Sequence, residues 1–290
     1  MLRKHNIPLG VFFSLISFFS LSSTYALVKL IPISALQILF LQSLFCFTVI
    51  ACICLIRREK PAFYVSKHYV LLFVRALGGL GTFLFIFIAV KYLSVADSTV
   101  LLNTSPFMIP FLLLLLFRSP INHKLWLPIA LGFIGTVIIL HPSSDIFQWH
   151  ALLPLISAVS MAITYIALRK LHVHGEPMLR ILFYLFLFAS LVMLPFGLYV
   201  WVPPTPHQWL MLLTVMTTNF ISQTTFTFSL RYGPAQTLAP LCYTSVVFAM
   251  LFDYLIWHTL PSWLSLGGSL LVICGGIFAL LIENSRERLD

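Results

Sequence analysis

Several stretches of this chain are apolar on every face that a helix or a strand could present. The run FLLLLLF at 111–117 shows neither the alternation of a half-buried strand nor the stripe of a surface helix. A helix needs roughly 20 such residues to cross the hydrocarbon of a bilayer. Ten stretches can be drawn on that criterion. The first half gives 7–30, 34–56, 69–92, 95–117 and 125–141; the second gives 149–171, 178–200, 207–230, 235–257 and 264–282. Their connections are short, so neighbouring helices must be antiparallel. The predicted class is an all-α membrane protein with ten transmembrane helices.

The pattern also repeats at a spacing of about 140 residues. Lys91-Tyr92 is echoed by Arg231-Tyr232, Thr104-Ser105 by Thr244-Ser245, and Gly135 by Gly275. Each half holds an odd number of spans, which turns the second copy upside down. The expected organisation is two inverted five-helix repeats, 1–142 and 148–290. Repeats of this kind enclose a site near the bilayer midplane and let one half rock against the other. That is the architecture expected of a secondary carrier.

Composition agrees with lipid as the solvent: 60% of residues are hydrophobic, 9% are charged and the mean hydropathy is +1.01. The net charge of +9 does not form a patch on a polar domain, so no nucleic-acid partner is expected. With the amino terminus inside, Arg57, Arg58, Lys60, Arg118, Lys124, Arg169 and Lys170 fall on the cytoplasmic side. Only Lys29 and Lys91 stand opposite, as snorkelling helix ends or, in the alternative, as groups that draw anionic substrates into an outer vestibule. This asymmetry predicts ten spans with both termini cytoplasmic, and it reads Arg75 and Arg180 as orientation signals at the boundary; the bacterial inner membrane is the expected location. Arg3-Lys4 followed by an apolar run and Ser22-Ser23-Thr24-Tyr25-Ala26 has the look of a secretory signal. Cleavage would remove a span whose counterpart is present, so the first helix is expected to stay. Five cysteines lie in apolar segments without metal-ligand spacing and are expected to serve packing.

Polar groups that lipid would not tolerate point to a cavity. An ionisable side chain at mid-depth costs about 2.5–3.5 kcal/mol on insertion scales and normally faces the bundle interior. Asp253, deep in the ninth span, is the candidate for coupling, with hydrogen bonding to a neighbouring hydroxyl as the structural alternative. Asn103, Thr104 and Ser105 precede Pro106 in the fourth span, and Tyr243, Thr244 and Ser245 hold the equivalent places in the ninth. A proline frees a carbonyl one turn earlier, and hydroxyls can resatisfy the backbone or bind a ligand. Asn219 and Gln223, four apart in the polar eighth span, share a face. Tyr25, Tyr165 and Tyr184 could stack on a planar or cationic substrate. Gly78-Gly79 and Gly275-Gly276 could pack within one chain or between two copies in a homodimer.

The stretch 92–142, with YLSVADSTVLLNTSPF and LGFIGTVIILHP, resembles the first repeat of EamA-type members of the drug/metabolite transporter superfamily. The stretch LRYGPAQTLAPLCYTSVVF, which opens the last two spans, is similar to the closing repeat. APLCY at 239–243 and Phe183-Tyr184 are similar to carriers assigned to S-adenosylmethionine uptake. The resemblance implies a carrier of a small polar metabolite: an amino acid, an amino-acid derivative or a nucleoside-like compound. A flippase-like carrier of a lipid-linked head group is the alternative. Phosphate-loop, dinucleotide and HExxH motifs are absent from the sequence, so no cofactor and no enzymatic activity is expected.

Overall fold

A computed structural model of the chain describes residues 7–56, 66–117, 126–140, 149–232, 239–259 and 261–287. The described residues fold into helices only. In chain order these are α1 (Ile7–Leu30), α2 (Ala35–Ile56), α3 (Tyr69–Ala89), α4 (Val95–Leu102), α5 (Ser105–Phe117) and α6 (Trp126–Leu140). A 3-10 turn at Trp149–Ala151 opens the second half and leads into α7 (Leu152–Val173), followed by α8 (Met178–Tyr199) and α9 (Pro206–Tyr232). A second 3-10 turn, Ala239–Tyr243, precedes α10 (Thr244–Trp257), and α11 (Trp263–Glu287) ends the fold. The basic segments 57–65 and 118–125 used to orient the chain lie outside the described residues.

The expectation of ten spans is met only in part. Among the described residues, five helices are long and apolar enough to cross a membrane: Pro8–Leu30, Ala35–Ile56, Tyr69–Ala89, Trp149–Val173 and Met178–Tyr199. The fourth span is interrupted at Asn103-Thr104, which leaves helices of 8 and 13 residues. The ninth begins as a 3-10 turn and continues as only 14 helical residues. With 15 residues, α6 reaches only about 22 Å at 1.5 Å per residue. Length is not what limits α9, which has 27 residues; its threonines, Asn219 and Gln223 dilute its apolar character.

Helix pairing is symmetric under exchange of the halves, as an internal repeat requires. The helix α1 packs most closely on α9, and α3 packs to the same extent on α7. The second helices, α2 and α8, face each other, and so do the last ones, α6 and α11. Hydrogen bonds obey the same rule at the spacing of about 140 residues. Ser17 Oγ donates to the Ser222 carbonyl at 2.9 Å, and Ser157 Oγ donates to the Thr82 carbonyl at 2.7 Å. Thr104 Oγ1 donates to the Leu101 carbonyl as Thr244 Oγ1 donates to that of Leu241, at 2.7 and 2.6 Å.

The glycines predicted to allow close packing do so within the chain. A Cβ at Gly135 would stand 2.6 Å from the Gly268 carbonyl oxygen, and one at Gly275 would stand 2.9 Å from that of Pro128. The backbones of α6 and α11 thus touch through equivalent glycines. Gly78 lies equally close to α7, 3.0 Å from the Ser160 carbonyl oxygen on the same measure. Neither backbone can retreat without moving a whole helix. Gly275→Leu is therefore expected to destabilise the fold by about 1–3 kcal/mol. Gly267→Ala, where a Cβ meets nothing within 4 Å, should leave the melting temperature of the detergent-solubilised protein unchanged or slightly raised.

Candidate functional site

A narrow chamber of about 20 Å³, room for a water molecule, lies where α1, α3, α7 and α9 meet. Its wall is largely apolar, with Phe18, Phe83, Met161 and Phe226. Set into it are Tyr25, Arg75, Thr82, Thr164, Ser222 and Gln223. The ring of Tyr25 meets Phe87 edge-on at 6.3 Å, and that of Tyr165 meets Phe226 edge-on at 5.6 Å. These two tyrosines hold equivalent places in the two halves, one on α1 and one on α7.

Of the residues singled out in the sequence, Tyr25 and Gln223 line this space and Tyr165 borders it. Asn219, one turn before Gln223, is fully buried, and neither of its amide atoms has a hydrogen-bond partner. Tyr184 is not brought to the chamber; it lies with Tyr69, Phe73 and Phe188 in an apolar groove between α3 and α8. Within α9, Thr217 and Thr225 bond to their own backbone, while Thr218 reaches Thr24 of α1 at 2.9 Å.

The polar residues at the two helix breaks form a second cluster. Asn103 Nδ2 donates to Ser245 Oγ at 2.9 Å and to the Cys242 carbonyl at 3.3 Å. Ser22 Oγ donates to the Ser245 carbonyl at 2.9 Å. Thr104 and Thr244 each bond three residues back, as described above. Ser105 is buried at the start of α5, and the Tyr243 hydroxyl is buried without a partner. Most of this cluster is therefore occupied in satisfying interrupted backbone, the need that hydrocarbon imposes on any broken helix.

Asp253 does comparable work. Its carboxylate accepts from the amides of Val95 and Ala96, at 3.2 and 2.7 Å. Ser94 Oγ accepts from Asp97 N at 2.9 Å, so the first three amides of α4 are all capped. A side chain on α10 thus closes the end of a helix in the other half. The expected hydroxyl partner is replaced by two backbone amides. Beside it, the ammonium of Lys29 sits over the Trp257 ring at 4.6 Å, and Lys91 donates to the Ile31 carbonyl. Both lysines are thus engaged in contacts within the bundle.

Arg75 corrects the sequence reading. It was expected at the boundary, yet it is 2% exposed and lines the chamber, because it points from α3 toward α7 rather than out toward lipid head groups. It makes no hydrogen bond to any described residue, and its Nε is buried without a partner. Arg180 does lie at a helix end, paired with Glu176 at 2.7 Å. Glu176 also accepts from Ser66 just before α3, and the rings of His68 and His174 meet at 4.2 Å in the same place. These contacts tie the start of α3 to the α7–α8 connection. Ser17, Thr82, Thr164 and Ser222 also escaped the sequence, since isolated hydroxyls in apolar helices carry no periodic signal.

The pattern of the EamA-like transporter family matches residues 8–141 and again 148–281. The chain is 26% identical over 271 residues to a pseudopaline exporter of Pseudomonas aeruginosa, covering 91% of this chain and 93% of that protein. It is 26% identical over 182 residues to an S-adenosylmethionine uptake transporter of Rickettsia prowazekii, covering 61% and 62% of the two. A solved crystal structure shares the fold, with a TM-score of 0.65, 19% identity, and coverage of 96% of this chain and 99% of that one.

The cap on α4 makes a thermal prediction. Asp253→Ala strands two buried amides at about 1–3 kcal/mol each and should lower the melting temperature by several degrees. Asp253→Asn retains one acceptor and should lose about half as much; equal melting of both variants and the parent would remove the cap from the account.

Proposed function

We propose that this chain, which belongs to the EamA-like transporter family, moves its cargo by alternating access around the chamber between α1, α3, α7 and α9. As a secondary-type carrier of small molecules it has ten spans in this reading. They are arranged as two inverted five-helix repeats, 1–142 and 148–290, in the inner membrane with both ends cytoplasmic. The observation that carries the reading is the pairing of α1 with α9 and of α3 with α7, which makes the chamber a seam between the two halves. A seam opens at one end when the halves rock, and the other end then closes. The slender chamber fits a state closed at both ends. The Ser66–Glu176–Arg180 ties and the Asp253 cap on α4 bridge different elements and serve as its two closures.

In this reading the cargo is an amino acid, an amino-acid derivative or a nucleoside-like compound such as S-adenosylmethionine, the cargo in the name of one set of relatives. Tyr25, Tyr165 and Gln223 contact it, with Asn219 and Tyr243 offering open hydrogen-bonding groups. Asn103, Thr104, Ser105, Thr244 and Ser245 hold the broken helices that must shift around it. Asp253 couples movement to the cycle by releasing and recapturing α4. A flippase would need a polar track along its lipid-facing groove. The groove at Tyr69, Phe73, Tyr184 and Phe188 is apolar, which favours the soluble cargo.

Purified protein in liposomes, offered labelled amino acids and nucleosides, should show saturable uptake of at least one. Gly79→Leu, which fills the chamber wall, should cut that flux by at least about tenfold. No protein-dependent flux across the panel, or full flux in the plugged variant, would count against the proposal.

A further inference from the structure

We infer that Arg75 anchors the negative group of the cargo, and that the cargo is a small organic carboxylate with an apolar or aromatic body. The inference rests on the carrier reading above and adds the chemistry that selects the cargo. A guanidinium in a membrane interior needs an anion or several acceptors. Arg75 has neither among the described residues: it is 2% exposed, makes no hydrogen bond there, and shares the chamber wall with no acidic side chain. The acids Asp253, Asp97 and Glu176 are committed elsewhere, Asp253 to the α4 amides, Asp97 to Ser94 and Glu176 to Ser66 and Arg180.

The place is also where the two halves stop matching. Thr24 meets Thr218 at 2.9 Å between α1 and α9. The equivalent pair between α7 and α3 is Thr164 with Gly78, and the glycine leaves Thr164 Oγ1 buried without a partner. Arg75 itself stands where the other half has the buried Val215. One side of the chamber therefore has a cation and an open hydroxyl that the symmetric side lacks. Gly79 makes room for the guanidinium: a Cβ there would lie 2.6 Å from Arg75 Nη1. The planar fork of a guanidinium matches a carboxylate, and Thr164 can donate to the same oxygens. The aromatic side chains of Phe83, Phe226 and Tyr25 then face the cargo's body.

Binding to the purified full-length protein tests this with matched probes: L-phenylalanine and 3-phenylpropionate, each against its own carboxamide, with inorganic phosphate alongside. The wild type should prefer each carboxylate by at least about tenfold, as a charge-assisted pair allows. Arg75→Gln should erase that preference, and Gly79→Ala should erase it with the arginine still present. Arg75→Lys should keep part of it. Without cargo, Arg75→Gln should melt at or above the wild-type temperature, because it removes an unpaired buried charge; a structural arginine would give a clear fall instead. Equal binding of acid and amide, no binding of either acid, a preference that survives Arg75→Gln, or phosphate binding as tightly as the carboxylates would overturn the inference. Carboxylate binding through Arg75 without flux in liposomes would sink the carrier reading and leave the anchor standing.

Discussion

Hydrocarbon offers no hydrogen bonds, and this single constraint sorts the polar residues of the chain. Every buried donor or acceptor must find a partner within the protein or stand ready for something that comes from outside. Where α4 begins, Asp253 and Ser94 capture its first three amides. Where the fourth and ninth spans break, Asn103, Thr104, Ser245 and Thr244 take up carbonyls and hydroxyls around them. The needs of these groups are met within the protein. Arg75, Thr164 and Asn219 keep polar atoms open although they are buried just as deeply. Of these, Arg75 and Thr164 line the chamber, where an entering polar group can meet that need.

The same constraint explains why the chamber lies at a seam. The helices around it, α1 on α9 and α3 on α7, are joined by apolar packing and by equivalent serine-to-carbonyl bonds, Ser17 to Ser222 and Ser157 to Thr82. Glycines bring backbones together both there, at Gly78 against α7, and between α6 and α11.

Much of the fold was legible in the sequence because span length and the echo of about 140 residues are physical signatures of membrane repeats. Thr104 and Thr244, read as equivalent from the sequence, make equivalent bonds. The break within the fourth span was less visible. Asn103-Thr104-Ser105 announced polarity, but whether a polar triplet bends a helix or interrupts it depends on the partner it meets. Arg75 was misjudged for a related reason. Six residues beyond Tyr69, an arginine can snorkel outward or point inward, and only the packing of α3 on α7 decides. Tyr184 shows the converse, since its ring type suggested cargo while its helix face turned it to the groove.

The central claim is that the cavity belongs to both halves and opens to one side of the membrane at a time. Single cysteines at Ser17 and Ser222, in a protein otherwise free of cysteine, can be labelled from either face of a sealed vesicle with a membrane-impermeant thiol reagent. Alternating access predicts that each site reacts from one face in one condition and from the opposite face when cargo or gradient is reversed. Reaction from both faces at once, or from neither under any condition, would contradict it.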